Sequence, residues 1–158
     1  MERTRWILAG QLGDTFDDGG RILLVEARED LRRAPLHRAK AHLILSAIRH
    51  RAAELGDRVE FHQVERYREV VEGRDDLEVI DPPSYADRRL VRSIGAEVLP
   101  SRGFITSEAD FAAWADARKG RPIMEDFYRW VRARTGILQD GDSPAGGQEL
   151  RFQLSGEI

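Results

Sequence analysis

The chain has 158 residues, of which 41% are hydrophobic and 34% are charged. This length and composition are typical of one globular domain with a single sizeable core. The net charge is −3, so the chain as a whole has no electrostatic attraction for nucleic acid. No apolar stretch has the length of a membrane span, and the first residues lack a signal-peptide pattern, so we expect a cytoplasmic protein without membrane contact.

The sequence contains no cysteine. Iron–sulfur clusters, disulfides and thiolate zinc sites are built from cysteine side chains. We therefore expect no iron–sulfur cluster on this chain, and no disulfide or thiol nucleophile.

Five short segments have the residue pattern of β-strands. The first is predicted at residues 5–10, and the second, Arg21–Ala27, is a continuous apolar run typical of a buried parallel strand. The other three are Val59–Val64, Leu77–Ile80 and residues 96–99. The polar, glycine-rich segment between the first two strands has no periodicity and is predicted to be a loop.

Helical patterns alternate with these strands. The clearest predicted helix covers residues 35–55, with Pro35 suited to its first turn and Gly56 to its end. Its apolar stripe recurs at three- and four-residue spacing and consists of Leu36, Ala39, Leu43, Ile44, Ala47, Ile48 and Leu55. Shorter helices are predicted at residues 67–72 and Tyr85–Ile94.

Two further helices are predicted after the last strand. The first begins at Ser107, because Asp110 three residues later has the spacing of a capping box, and it ends near residue 118. The second covers residues 124–134 and is stopped by Gly136. Beyond residue 140 the sequence predicts no regular element.

The alternation of strands and helices predicts an α/β fold with a five-stranded, parallel, doubly wound, Rossmann-like sheet and helices on both faces. Such sheets bind ligands outside the carboxyl ends of their strands, where the strand order reverses. The candidate ligand loops are therefore residues 10–20, 27–35 and 81–85. Neither G-x-G-x-x-G nor a Walker A pattern follows any strand, so a standard dinucleotide or nucleoside triphosphate site is not indicated.

Four blocks of sequence, in one order, resemble a single family. Residues 5–12 (RWILAGQL) are similar to the family opening RxILGDQL, and residues 26–50 are in register with VEvxeExxyvxHHKkKlalxlSAMRHF. Residues 94–114 follow VEVLPxxRFLxSxxEFxxW, and residues 124–136 follow MExFYRxMRRxTG. The chain therefore resembles the photolyase-related proteins, which are the iron–sulfur bacterial cryptochromes and (6-4) photolyases.

The resemblance implies an antenna-type ligand site. In this family the matching segment is an N-terminal α/β domain that cradles an antenna chromophore, typically a ribityllumazine. It precedes a helical domain that holds FAD. The corresponding positions, in the loops after the first and second strands, are Gly10, Gln11, Val25, Glu26 and Asp30, with 6,7-dimethyl-8-ribityllumazine as the expected ligand.

Two of these positions differ from the family's usual residues. Gly10 stands where the family usually has Asp, which removes a polar side chain. Asp30 stands where the family has a Glu that accepts hydrogen bonds from the chromophore. The shorter Asp30 side chain either loses that contact or makes it through water.

The sequence departs from the family's pattern in three places. The segment between residues 64 and 77 is too short for the family's longer helix, the EPxEWR motif is replaced by DPPSYA at residues 81–86, and the match ends after Gly147. We therefore expect an N-terminal α/β domain at residues 1–140, a divergent, flexible tail at residues 141–158, and no FAD on this chain. This pattern favours a truncated or degenerate relative, or a reading frame shifted after Gly147.

No active site or metal site emerges from the residues themselves, so no catalytic residue is predicted. His37 and Lys40, one turn apart, face either a ligand or solvent, and His42 and His50 are too far apart in sequence to share a metal. The C-terminal part is basic and aromatic, which indicates either a nucleic-acid site or, as we favour, a docking and packing surface. Its residues are Arg118, Lys119, Arg121, Phe127, Tyr128, Arg129, Trp130, Arg132 and Arg134.

Two functional hypotheses remain open. The first is a stand-alone antenna-type module that binds a ligand or docks without catalysis, with its apolar docking face covered in a homodimer or by a separate FAD-domain partner. The second is one part of a light-driven DNA-repair photolyase that a separate FAD-domain chain completes. In both cases contact with DNA is only indirect. A small nucleotide-binding α/β protein that reuses the same crevice is a weaker third hypothesis.

Overall fold

The computed structural model describes residues 3–33, 36–140 and 143–144. The chain divides into two compact units, Met1–Ile105 and Thr106–Ile158. The first unit holds the main sheet, and the second holds two helices. The domain boundary predicted at residue 140 stays a prediction, because most residues beyond it lie outside the described part of the chain.

The sheet of the first unit has five parallel strands. They are β1 (Thr4–Ile7), β2 (Arg21–Ala27), β3 (Val59–Val64), β4 (Leu77–Ile80) and β5 (Glu97–Leu99). Their spatial order is β3-β2-β1-β4-β5, with every neighbouring pair parallel. This arrangement confirms the predicted fold class.

The first strand is shorter than its sequence pattern predicts. The chain leaves the sheet after Ile7, and a turn follows in which the Gln11 N–H donates to the Leu8 carbonyl at 2.8 Å. Leu8 is buried even so, because its side chain packs into the core beside β1. The run of buried apolar residues therefore continues one residue past the end of the strand.

Among the described residues, four α-helices belong to the first unit and two to the second. They are α1 (Arg28–Arg33), α2 (Arg38–Leu55), α3 (Arg68–Val71), α4 (Tyr85–Ile94), α5 (Glu108–Asp116) and α6 (Met124–Thr135). None of the helices in the described part of the chain is long and apolar enough to cross a membrane. A short antiparallel pair, Gln139–Asp140 with Ser143–Pro144, follows α6.

The prediction of a loop at residues 27–35 is wrong for its first part, because Arg28–Arg33 forms α1. Its acidic residues lie in the first turn and its arginines in the last, which suits the helix dipole. The sequence prediction relied on apolar periodicity, and this one-and-a-half-turn helix has none. Helix α2 begins at Arg38 because His37 caps it, with its Nδ1 accepting from the Ala39 N–H at 3.2 Å. Pro35 lies outside the described residues.

Helices cover both faces of the sheet, as predicted. On one face α3 and α4 pack on a core that includes Trp6, Leu23 and Val91. On the other face α2 packs on Leu24 and its neighbours. Adjacent residues of β2 pack into the cores on opposite faces of the sheet, because side chains alternate along a strand.

The part of α2 that packs on this sheet begins at Ile44. Leu55 is 8% exposed, whereas Leu43 in the same helix is 68% exposed. A helix of 18 residues is about 27 Å long, and the six-residue strand β3 spans about 20 Å. The first turns of α2 therefore extend past the carboxyl edge of the sheet.

A cluster of packed aromatic rings joins the two helices of the second unit. Phe127 lies at the centre, with ring centroids 5.1 Å from Phe111, 5.0 Å from Trp114 and 5.7 Å from Trp130. The predicted capping box at the start of α5 is confirmed, since the Ser107 side chain and backbone both bond Asp110. Helix α6 ends at Gly136 in a left-handed conformation, as predicted.

Candidate ligand site at the carboxyl edge of the sheet

The strand order reverses at β1. Strands β2 and β3 lie on one side of it, and β4 and β5 on the other. In doubly wound sheets, ligands bind outside the carboxyl ends of the strands at this point. The loops that meet there are residues 8–20, after β1, and residues 81–84, after β4.

Gln11 joins these two loops. Its side chain is buried, with the residue 2% exposed, and its Nε2 donates to the Ile80 carbonyl at 2.9 Å. This bond links the loop after β1 to the last residue of β4. The side-chain donor of Gln11 is therefore committed to the backbone of the fold.

Gly10 leaves open space beside Gln11. The residue is exposed, and no heavy atom lies within 4 Å of the position that a Cβ would occupy. A ligand can approach the backbone of this turn closely because no side chain covers it.

Glu26 near the end of β2 forms a polar group with two neighbouring elements. Its carboxylate accepts two bonds from Arg49 of α2, at 2.8 and 2.7 Å, and one from Gln63 of β3 at 3.1 Å. The bonds from Arg49, with its charge, lower the pKa of Glu26. Glu26 is therefore a fixed anion at neutral pH, beside a half-exposed guanidinium.

Asp30 is held on α1 by a tyrosine. The Tyr67 hydroxyl donates to one Asp30 oxygen, and Arg33 pairs with the other at 3.0 Å. Burial, reinforced by the bond to Asp30, raises the pKa of Tyr67. Tyr67 therefore stays a neutral donor that fixes Asp30.

A second carboxylate, Asp87, lies in the first turn of α4. Burial raises its pKa, and the charge of Asp30 adds to the effect. Asp30 of α1 and Asp87 of α4 are therefore close enough for their charges to interact. The sequence pattern gave no sign of this proximity.

The five predicted positions do not share one surface. Val25 is buried in the core under α3 and α4, on the face of β2 opposite to Glu26. Gln11 is buried as well, whereas Gly10 is exposed, Asp30 is partly exposed and the Glu26 side chain is 12% exposed.

Sequence reasoning missed Arg49 and Tyr67, which bond the two predicted carboxylates Glu26 and Asp30. The only signal for Arg49 was its opposite charge on a neighbouring element, and Tyr67 offered none. No group of three or more metal-binding side chains occurs among the described residues.

Four aromatic residues of the second unit, Phe111, Trp114, Phe127 and Trp130, pack against one another, whereas Tyr128 is exposed. Arg118 lies over the Trp114 ring at 4.9 Å and Arg134 over the Trp130 ring at 5.1 Å. Both arginines also form ion pairs within the unit, with Asp126 and Asp110 respectively. These rings and cations are used internally, which favours the packing interpretation of this basic, aromatic stretch.

A family model described as deoxyribodipyrimidine photo-lyase-related protein matches residues 5–148. The chain belongs to the photolyase-related proteins. A (6-4) photolyase of Agrobacterium fabrum (strain C58 / ATCC 33970) is 31% identical over 148 aligned residues, a match that covers 80% of this chain and 29% of that relative. The resemblance stated from the sequence is thus confirmed, and the chain spans about 29% of the length of the curated relative it matches.

The photolyase-related match includes both compact units and all five candidate positions. Membership in this family agrees with the observed fold. It does not by itself assign a ligand or an activity, because function depends on the residues of the site.

Proposed function

We propose that this chain is the α/β module of a photolyase-related system, which binds a ribityllumazine-type chromophore at the carboxyl edge of its sheet and docks on a FAD-carrying partner. The observation that carries the proposal is the fixed polar group of Glu26, Arg49 and Gln63, at the same edge as the open turn at Gly10. The module itself carries out no bond-making or bond-breaking step.

The chemistry of these residues fits a ribityllumazine. Its flat ring carries carbonyl oxygens and a ring N–H, and its side chain carries hydroxyl groups. The Glu26 carboxylate can accept from N–H or O–H groups, and the outer face of Arg49 can donate to carbonyl oxygens. The space beside Gly10 admits a planar group close to the backbone.

The chromophore would supply light absorption, and the protein's part would be to hold and orient it. The hydrogen bond from Tyr67 restrains the Asp30 carboxylate, so the lone pairs that remain free on its oxygens have a fixed orientation. Gln11 fixes the loop after β1 against β4. Such restraint lowers the entropy cost of ordering a ligand site.

Docking is supported by apolar side chains exposed in each unit. Leu43 and Tyr85 are exposed in the first unit, and Met124 and Tyr128 in the second. Burying such residues against a partner is favourable because apolar area leaves water. A FAD-binding polypeptide is the partner that the resemblance to the photolyase-related proteins implies.

Titration of the purified chain with 6,7-dimethyl-8-ribityllumazine tests the ligand proposal. We expect saturable quenching of lumazine fluorescence, and binding at least about tenfold weaker in Glu26→Gln, because a bond to a charged group is lost. The matched control is Glu97→Gln, at the opposite end of the sheet, which should bind as the wild type does.

Two outcomes would contradict the ligand proposal. One is the absence of saturable binding by the wild type. The other is equal weakening by Glu26→Gln and Glu97→Gln. Circular dichroism of each variant checks that the fold is intact.

The alternative is that this chain is one part of a light-driven DNA-repair enzyme, and the name of the (6-4) photolyase relative favours it. The chain would then be mixed with the FAD-binding polypeptide of a photolyase-related protein, and complex formation measured by size-exclusion chromatography. Light-dependent loss of (6-4) lesions from DNA by the complex alone would support this function. A FAD-binding polypeptide that repairs equally well without this chain would count against it.

A further inference from the structure

Residues 8–20 form a strap that connects β1 to β2. Parallel neighbouring strands need a crossover of a dozen or more residues, which is usually a helix. The strap has only one 3₁₀ turn, Asp14–Phe16. Most of its backbone is therefore not satisfied by helical hydrogen bonds.

Arginines from four parts of the first unit hold two adjacent carboxylates of the strap. Asp18 bonds Arg102 at 2.5 and 2.7 Å, and Arg5 of β1 at 2.9 Å. Asp17 bonds Arg51 of α2 at 3.2 Å, and Arg58 in the turn after α2. The two carboxylates thus connect the strap to β1, to α2 and to the segment after β5.

Three of these arginines also donate to carbonyl groups of the strap. Arg102 bonds the Thr15 carbonyl at 2.9 Å, and Arg5 bonds the Phe16 carbonyl at 3.2 Å. Arg58 bonds the carbonyl of Gly20 at 3.4 Å. Guanidinium groups therefore satisfy carbonyls that helical N–H groups would satisfy in an ordinary crossover.

Apolar packing of the strap beyond Gln11 is slight by comparison. Leu8, at the start of the strap, is buried in the core on the α3 and α4 face, but Leu12 and Phe16 are only partly buried, against the core on the α2 face. Segments with few buried apolar contacts and many polar ones open at lower free energy than the core. The charged contacts therefore decide how firmly the strap is closed.

We propose that residues 12–20 of the strap are a latch, held shut by Arg5, Arg51, Arg58 and Arg102, which opens as a unit while the sheet stays folded. Opening uncovers the core on the α2 face, and Gln11 stays bonded to the Ile80 carbonyl. The Asp18–Arg102 pair is partly exposed, so salt screens it and raised ionic strength promotes opening. The latch follows from the contacts alone and does not depend on which ligand the carboxyl edge binds.

Amide hydrogen exchange on the intact chain, followed by NMR, tests the latch. The reporters are the Phe16 and Asp17 amides, which bond the Gly13 and Asp14 carbonyls at 3.0 Å, and the reference is the amide of Leu24 in β2. Asp18→Asn should raise exchange of the reporters about tenfold or more, since charged hydrogen bonds are lost, and leave Leu24 unchanged. Salt at about 1 M should also raise the exchange rate of the reporter amides in the wild-type chain.

The matched control is Glu97→Gln, outside the strap. The Glu97 side chain is 49% exposed, as is that of Asp18, and it pairs with Arg3, so its replacement removes an exposed ion pair elsewhere and should leave exchange of the reporters near that of the wild type. Should Asp18→Asn fail to fold, Arg102→Gln removes the other half of the same contact. Reporters that exchange no faster than Leu24 under every condition, or that respond equally to Glu97→Gln and Asp18→Asn, would overturn the latch.

Discussion

Asp110 connects two features of the second unit. Its carboxylate accepts from the Ser107 backbone N–H and from the Ser107 hydroxyl, both at 2.8 Å, and it pairs with Arg134 of α6 at 2.6 Å. These contacts, with the Arg134 bond the largest, lower the pKa of Asp110 to about 2. A single side chain therefore caps α5 and joins it to α6.

The lowered pKa predicts how acid acts on these contacts. A free aspartate titrates near pH 3.9, about two units above Asp110 in the folded chain. The stabilisation by Asp110 is therefore fully present above about pH 4 and is lost as the pH falls through the folded value near 2. NMR titration of the Asp110 carboxyl should show the low value, and Arg134→Gln should raise it towards that of a free aspartate.

The control for this titration is Arg132→Gln, on the same helix. Arg132 is not a partner of Asp110 among the described contacts, so its removal should leave the pKa of Asp110 nearly unchanged. An Asp110 pKa near 4 in the wild type, or equal shifts in both variants, would contradict the arrangement.

At the scale of residues, local spacing was predictable and distant pairing was not. The Ser107 and Asp110 cap is a three-residue pattern that any reader can find in the sequence. Gln11 bonds Ile80, 69 positions away, and Tyr67 bonds Asp30, 37 positions away. Such bonds depend on strand order and helix placement, which single residues do not encode.

At the scale of elements, α2 offers a matched comparison of one residue type in two environments. Leu55→Ala should lower the free energy of unfolding by about 2–4 kcal/mol, because a buried side chain leaves a cavity. Leu43→Ala should change it by less than about 0.5 kcal/mol, because Leu43 is mostly exposed. Urea unfolding followed by circular dichroism measures both.

Equal destabilisation by the two substitutions would show that the first half of α2 is covered in solution. The sequence could not separate these leucines, since both belong to one apolar stripe. Periodicity identifies which side of a helix is apolar, but not where the sheet beneath it ends. An apolar residue beyond the sheet edge looks the same in sequence as one above the core.

Helix α1 shows the opposite limit of sequence interpretation. It has acidic residues in its first turn and arginines in its last, but no apolar stripe, so its sequence predicts a loop. The structure holds it through the Glu29 N–H bond to the Glu65 carbonyl at 3.0 Å and through the bond from the Tyr67 N–H to Glu29 at 2.9 Å. Contacts with the segment after β3 thus stabilise a helix that the local sequence does not predict.

At the scale of the whole molecule, the fold and the family follow from the sequence. Buried strands alternating with helices imply the parallel sheet, and several blocks in one order imply the photolyase-related proteins. For the candidate site, the sequence predicted only its location at the carboxyl edge of the sheet. Its geometry separates Val25 from Glu26, on opposite faces of one strand, and commits Gln11 to Ile80.

Such a module has a plain physical design. The sheet provides a rigid support, the carboxyl edge presents the fixed Glu26 and Arg49 pair, and exposed apolar residues such as Leu43 are available for a partner. Binding and docking need only these features.

The measurement that tests the central claim most directly is the near-ultraviolet and visible absorption spectrum of the purified chain, before and after addition of 6,7-dimethyl-8-ribityllumazine and removal of the unbound excess. We predict a retained lumazine band in the wild type that is much weaker in Glu26→Gln. A chain that stays colourless after the addition, although circular dichroism shows it to be folded, would contradict the claim that this edge is a chromophore site.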